Sequence, residues 1–111
     1  MVLALSNPEP EIDPSVALRA GAAFAADGAM VNDALAFPGI FRGALMCGAS
    51  LISTAMKLAA ADAIAQLARE LDLVPSPLDR RLHREVAAAV ADAARDEGLA
   101  RPDRVPAGLE E

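Results

Sequence analysis

The chain has 111 residues, of which 54% are hydrophobic and only 3% aromatic, and its net charge is −6. This length fits at most one domain, and the apolar content excludes extensive disorder. A nucleic-acid ligand is excluded because the single lysine and the arginines are interleaved with acids, whereas proteins that bind nucleic acid cluster their basic residues.

The single cysteine, Cys47, excludes an internal disulfide and a cysteine-based zinc site. We expect no secretory signal and a cytoplasmic location, because the N-terminus lacks a basic region followed by an apolar core. Residues 34–56 come nearest to a membrane span, but Pro38, Arg42 and several glycines interrupt them. A buried helix pair explains that segment better than a membrane helix does.

A βαβ unit is predicted at the N-terminus. Residues 2–5 and 22–26 are short, continuous apolar runs, typical of strands in a parallel sheet. Between them, the prolines of residues 7–14 indicate a rigid loop. Asp13 followed by Pro14 then predicts a helix start, and Gly21 predicts its end. The order of strand, helix and strand is that of an α/β domain.

Three further helices follow. The first is predicted from Asn32 to about Met46 with a kink at Pro38, because a proline inside a helix removes one N–H and clashes with the preceding turn. The second begins at Ser50 or Ser53 and reaches about Leu71, and the third lies between Asp79 and Gly98. Their apolar stripes have helical spacing and comprise Met56, Ala60, Ile64, Leu67 and Leu71, then Leu82, Val86, Val90 and Ala93.

We therefore predict an α/β fold that is dominated by helices, with two short parallel strands and about four helices. Its core is expected to depend on close helix contacts, because alanine supplies much of the apolar content. A sheet of two strands is marginal by itself. This predicts that a partner chain or a missing half completes the structure.

Several segments resemble bacterial malic enzymes, in the same order along the chain. ALSNPEPEI and VNDALAFPGIFRGAL, at residues 4–12 and 31–45, are the specific ones, and the others are AGAAFAADG at 20–28, MKLAAADAIAQLA at 56–68 and VPSPLDRRL at 74–82. The resemblance implies that residues 1–100 form the C-terminal part of a Rossmann-like NAD(P)-binding domain, followed by a loosely ordered tail over residues 101–111. Malic enzymes convert malate to pyruvate by oxidative decarboxylation, with NAD or NADP and a divalent metal.

Asn7 and Asn32 match two asparagines that contact the substrate and the nicotinamide end of the cofactor in that family. The resemblance therefore implies that both bind cofactor and substrate. An uncharged amide has two donors and an acceptor, so it can hold both a carboxylate and a carboxamide. Asn7 would follow the carboxyl end of a parallel strand, and Asn32 would lie at a helix N-terminus that favours an anion such as malate. Asn7 as a turn residue and Asn32 as a helix cap remain alternatives.

The resemblance also indicates which parts of the family's active site are missing from this chain. There is no tyrosine, so the catalytic tyrosine is absent, and Lys57 does not match the catalytic lysine. No acidic cluster matches the metal ligands, and no G-x-G-x-x-G phosphate loop is present. Asp33 also stands where the family has a second asparagine, and its carboxylate would repel malate.

We accordingly predict no catalytic and no metal-binding residues in this chain, and no turnover of malate by the chain alone. Its expected partner is a second copy or a complementary malic-enzyme chain. The alternative function is a non-catalytic, self-associating structural or interaction module that derives from the same fold.

The remaining reactive or charged side chains are given structural interpretations. Cys47 is predicted to be a buried, inert thiol, and His83 a solvated helix residue. The mixed-charge run of residues 79–85 is interpreted as a solvated helix face with i,i+4 ion pairs rather than a phosphate site. Four carboxylates are interpreted as surface acids, because their irregular spacing does not suit a metal site: Glu9, Glu11, Asp27 and Asp33.

Overall fold

The structure, a computed structural model, describes residues 1–6, 8–28, 35–71, 75–76 and 78–109, and the side chain of Leu71 is outside this description. The chain divides into two compact units, Met1–Asp33 and Ala34–Glu111. The described elements are two short strands, four α-helices and one short 3-10 helix. The prediction of a helix-dominated α/β fold with two strands and four helices is confirmed.

The first unit is a βαβ arrangement. Strands β1 (Val2–Ala4) and β2 (Ala25–Asp27) pair in parallel, and helix α1 (Pro14–Arg19) connects them. The N-cap Asp13 accepts a hydrogen bond from the backbone N–H of Ser15 at 2.7 Å, and Pro14 occupies the first turn, as the sequence predicted. The parallel pairing and the start of α1 are therefore confirmed, whereas β2 begins later than predicted.

The second unit is built around its last long helix. It contains α2 (Phe37–Met46), α3 (Thr54–Leu71), α4 (Arg80–Asp96) and a 3-10 helix over Pro102–Arg104. Helix α4 packs extensively on both α2 and α3, which contact each other far less. The predicted stripes are largely confirmed, because the largest fully buried side chains of the core are Met56, Leu67, Leu82, Val86 and Val90.

The predicted start and kink of the helix that contains Pro38 are wrong. Helix α2 begins at Phe37, its N-cap is Ala36, and Pro38 lies in its first turn. The first N–H groups of a helix have no intrahelical acceptor, so a proline there sacrifices no hydrogen bond. Proline thus marks the beginning of α2 rather than a bend within it.

Glycines bring α2 and α4 into close contact. A Cβ on Gly39 would lie 2.5 Å from Cγ1 of Val86, and a Cβ on Gly43 would lie 2.4 Å from the carbonyl oxygen of Ala87. These glycines are four residues apart and therefore lie on one face of α2. The expectation of a core with close helix contacts is confirmed at this crossing.

The start of α3 and the residues after α4 are joined by hydrogen bonds. The Oγ atom of Ser53 accepts a bond from the backbone N–H of Met56 at 3.1 Å, which identifies Ser53 rather than Ser50 as the residue that caps α3. The backbone N–H of Arg101 donates to the carbonyl of Cys47 at 2.8 Å. The predicted tail thus begins at a residue that is bonded to the α2–α3 loop, while the expected looseness of residues 101–111 stays a prediction. Among the described residues, no helix is both long and apolar enough to cross a membrane.

Candidate functional site

The carboxyl ends of the two parallel strands form the candidate site. In the register of the sheet, Ala4 at the end of β1 is the partner of Asp27 at the end of β2. The pairing extends one residue further, because the backbone N–H of Gly28 donates to the carbonyl of Ala4 at 3.1 Å. Both strands therefore end at the same edge, which is where open α/β sheets bind their ligands.

Asn7 and Asn32, the two predicted site residues, lie outside the described residues. Along the chain, Asn7 directly follows Ser6, just beyond the end of β1, and Asn32 belongs to the connection that begins at Gly28, after β2. Their proposed roles in cofactor and substrate binding stay predictions. The described residues show that the two connections that carry them start from one edge of the sheet.

A carboxylate forms hydrogen bonds within the connection that follows β1. Glu11 accepts hydrogen bonds from the backbone N–H of Ser6, at 3.3 Å, and from the hydroxyl group of Ser6. The Ser6 hydroxyl, together with backbone hydrogen bonds, holds the pKa of the Glu11 carboxyl below its ordinary value. These bonds join the two ends of the segment that begins after β1. Sequence analysis missed this role because it interpreted Glu11 only as a surface acid.

The other residues that were considered for chemistry lie in the second unit. Cys47 is buried and its Sγ donates to the carbonyl of Ala44 at 3.5 Å, so the predicted burial of the thiol is confirmed. His83 on α4 is half-buried, so it is less exposed to solvent than the sequence predicted. Lys57 is exposed on α3.

Arg81 forms the i,i+4 ion pair that was predicted within residues 79–85, and it also forms a second ion pair with a residue of α3. Arg81 Nε lies 2.6 Å from Oε1 of Glu85, and Arg81 Nη2 lies 2.7 Å from Oε2 of Glu70 on α3. The partner on α3 could not be identified from local spacing, because it depends on how the helices pack. Within the described part of the chain, no group of three His, Cys, Asp or Glu side chains could hold a metal ion.

Comparisons with known proteins identify relatives of this chain, although no family model matches it. It is 57% identical over 94 residues to NAD-dependent malic enzyme 1 of Bacillus subtilis, which covers 85% of this chain and 21% of that protein. It is 44% identical over 117 residues to the NAD-dependent malic enzyme of Geobacillus stearothermophilus, with 97% and 24% of the two chains covered. It is 43% identical over 125 residues to the NADP-dependent malic enzyme of Salmonella typhimurium, with 90% and 16% covered.

A solved structure resembles the fold as well. The malic enzyme from Pyrococcus horikoshii matches with a TM-score of 0.83 and 44% sequence identity, over 91% of this chain and 25% of that one. In all these comparisons the chain spans a quarter or less of the protein that it matches.

Proposed function

Since this chain is homologous to a segment of the bacterial malic enzymes, we propose that it is the C-terminal part of a nucleotide-binding domain whose remainder is supplied by other malic-enzyme residues. In that assembly it serves the oxidative decarboxylation of malate to pyruvate with NAD or NADP. The observation that carries the proposal is the parallel strand pair, whose two carboxyl ends meet at one edge.

Asn7 and Asn32 are the residues that we propose to contact ligands at this edge. Each belongs to a connection that leaves the edge, one after β1 and the other after β2. The amide of one asparagine can donate to a malate carboxylate and accept from the nicotinamide carboxamide, since it carries donors and an acceptor without charge. The part of this chain in the reaction is thus to bind and orient substrate and cofactor.

The chain fits the cofactor better than it fits the metal. A strand edge followed by amide side chains is suited to the nicotinamide end, and NAD(P) accepts a hydride from malate when it is bound. By contrast, the described residues contain no cluster that could ligate a divalent ion. We therefore assign no metal ligand to this chain and derive no step through a metal.

Proton transfer is likewise assigned to other residues of the assembly. The chain contains no tyrosine. Its single lysine, Lys57, is exposed on α3 and is far along the chain from both strands. A dinucleotide-binding G-x-G-x-x-G sequence, which cradles the pyrophosphate, is also absent from the sequence. We propose that the chain by itself does not oxidise malate.

A split-enzyme experiment tests this proposal. The purified chain is assayed with malate, Mn²⁺ and either NAD or NADP, first alone and then after co-expression with the remaining portion of the Bacillus subtilis relative. We expect no reduced cofactor from the chain alone and measurable malate oxidation from the pair. Steady cofactor reduction by the chain alone, or no activity in a pair that co-purifies, would contradict the proposal.

Substitutions in the active pair test the two asparagines. Asn7→Ala and Asn32→Ala should each lower kcat/KM by about tenfold to a hundredfold, which corresponds to the loss of one or two hydrogen bonds to a charged substrate. Gln66→Ala is the matched control, because it removes an exposed amide on α3. An equal effect of all three substitutions would show that the two asparagines have no specific role.

A non-catalytic, self-associating module is the second candidate function, and exposed apolar side chains favour it. Phe37, Phe41 and Leu45 are spaced four residues apart on α2, and all three are exposed, at 56%, 45% and 47%. Large apolar residues at such spacing form one face that is suited to burial against another protein surface. Sedimentation of the chain alone distinguishes the candidates, since a compact monomer at micromolar concentration would contradict self-association.

A further inference from the structure

Three arginines and a histidine surround one cavity in the second unit. Arg42 of α2 and three residues of α4, Arg80, His83 and Arg84, line a surface cavity of about 370 Å³. No acidic side chain of the described residues is among those that line it. A concentration of positive charge at one place is unexpected in a chain whose net charge is −6.

Among the residues that the structure describes, the arginines of this cavity differ from their neighbours in having no acidic partner. Arg81 pairs with Glu70 and Glu85, and Arg95 pairs with Asp92 at 2.8 Å. Arg42, Arg80 and Arg84, in contrast, form no ion pair with any residue that the structure describes. Like charges around one cavity repel each other, and a bound anion would remove this repulsion.

The position of two of these arginines on α4 adds to the unfavourable electrostatics. Arg80 is the first residue of the helix and Arg84 lies one turn later. The first turn contains no acidic residue, although the carboxylate of the N-cap Asp79 accepts from the backbone N–H of Arg81 at 2.8 Å. The helix dipole carries a partial positive charge at this end, where anions are stabilised and cations are not. Because Asp79 already partly neutralises the dipole, the attraction for an anion in the cavity comes mainly from the guanidinium groups.

An adjoining cavity has a different lining. It measures about 460 Å³ and shares Arg42 and Arg84 with the first cavity, so the two are continuous at these side chains. The rest of its wall consists of the apolar side chains Met46, Ala87 and Ala88 and of the Asp92–Arg95 ion pair, in which the two charges neutralise each other. A groove with cations at one end, and with apolar side chains and a neutral ion pair beyond them, suits a ligand that is anionic at one end only.

We propose that this groove between α2 and α4 binds a small organic phosphate. Its phosphoryl group would lie among Arg42, Arg80 and Arg84, and its organic part would lie along Met46 and the alanines of α4. Guanidinium groups match phosphoryl oxygens in a bidentate geometry, and a phosphate monoester carries a charge of about −1.5 to −2 at neutral pH. A monocarboxylate would balance only one of the three arginines.

This proposal is independent of the proposed function. All residues of the groove belong to the second unit, whereas Asn7 and Asn32 belong to the first. It also revises the interpretation of residues 79–85, because Arg81 is the residue of that run that forms the solvated ion pairs. Arg80 and Arg84, four residues apart, line the cavity instead.

Titration of the chain with phenyl phosphate at low salt tests the proposal. The signals of the arginine Nε–H groups are followed by NMR, and inorganic phosphate and malate are titrated in parallel. We expect shifts of the signals of Arg42, Arg80 and Arg84, with a lower Kd for phenyl phosphate than for inorganic phosphate. Malate should bind more weakly than either, since its carboxylates are singly charged and separated.

Two substitutions of equal charge provide the decisive comparison. Arg84→Gln should raise the Kd for phenyl phosphate about tenfold, as expected for the loss of a charge-assisted hydrogen bond. Arg69→Gln, at an exposed position on α3 that does not line the groove, should leave the Kd unchanged. An equal rise of the Kd in both variants would show that only the net charge of the protein matters, and it would overturn the proposed site. Equal affinity for phenyl phosphate and inorganic phosphate would overturn the apolar part of the groove.

Discussion

A Cβ atom on Gly43 would lie 2.4 Å from the carbonyl oxygen of Ala87, which is well inside van der Waals contact. Helices α2 and α4 therefore meet backbone to backbone at this point. One turn earlier, a Cβ on Gly39 would lie 2.5 Å from Cγ1 of Val86 and 2.7 Å from Cβ of the same residue. Rotation of the Val86 side chain can move Cγ1 but not Cβ, which is bonded directly to the backbone, so both glycines are at strict contacts.

Gly43→Ala should consequently destabilise the protein by about 1–3 kcal/mol, the usual cost of forcing an extra methyl group into a packed contact. Gly39→Ala should have a similar cost, because rotation of the Val86 side chain leaves its Cβ within 2.7 Å of the added methyl group. Urea unfolding of each variant measures its cost. Equal stability of Gly43→Ala and the unsubstituted chain would show that α2 and α4 do not make this contact in solution.

Gly48 and Gly98 allow the cost of backbone conformation to be separated from the cost of crowding. Their φ values are similar, 63° and 70°, in the left-handed region that favours glycine. A Cβ on Gly48 would lie 2.1 Å from the carbonyl oxygen of Arg101, whereas a Cβ on Gly98 would meet nothing within 4 Å. Gly98→Ala should cost about 1–2 kcal/mol, which is the penalty for a left-handed alanine.

Gly48→Ala should cost more than Gly98→Ala, because the added methyl group also has to displace Arg101. Thermal unfolding of both variants checks the order. The prediction fails if the two melting temperatures fall equally, since Arg101 would then not lie against Gly48.

Ser53 has two roles at the start of α3. Its hydroxyl oxygen accepts from the N–H of Met56, and its hydroxyl group donates to the carboxylate of Glu97 at the end of α4. Ser53→Ala should therefore cost about 1 kcal/mol or more, the usual value for a lost N-cap. Ser50→Ala is the control, and it should have no effect beyond the error of a chemical unfolding curve.

The Ser6–Glu11 pair makes part of the stability of the first unit dependent on pH. Because the folded pKa of Glu11 lies below its ordinary value, the carboxylate stabilises the fold at pH values above that ordinary pKa. This contribution decreases as the pH falls through the lower, folded pKa. Ser6→Ala should bring the pKa of Glu11 back towards the ordinary value, as measured by carbon-13 NMR titration of the carboxyl group.

Ser15→Ala is the matched control for that titration. The Ser15 hydroxyl lowers the pKa of Asp13, the N-cap of α1, so its removal should raise the pKa of Asp13 and leave Glu11 unchanged. If both serine variants shifted Glu11 alike, the cause would be a general opening of the loop rather than the hydrogen bond.

The sequence predicted helix starts correctly where the stabilising hydrogen bonds join residues that are close along the chain. Asp13 and Asp79 cap α1 and α4 because a carboxylate at those positions accepts from N–H groups only two residues away. The parallel strands were predictable from their continuous apolar runs. Pro38 was misinterpreted because proline is compatible with both a kink and a first turn, and only the packing of the following helix distinguishes them.

The candidate sites were predictable to different degrees. Asn7 and Asn32 were identified from their surroundings in sequence, and the structure supplies only the common strand edge from which their connections leave. The cationic groove was not predicted. Arg80 and Arg84 share a helix face, a pattern visible in the sequence, but Arg42 is distant in sequence and joins them only through the crossing of α2 and α4.

The reliance of α2 and α3 on α4 has a consequence for synthesis of the protein. Since α4 is the last of the three helices to leave the ribosome, neither earlier helix has its main packing partner while it is being translated. The core of the second unit can form only after residues 80–96 have emerged. Premature termination before this point would release a chain with two apolar helix faces exposed, a ready substrate for chaperones and proteases.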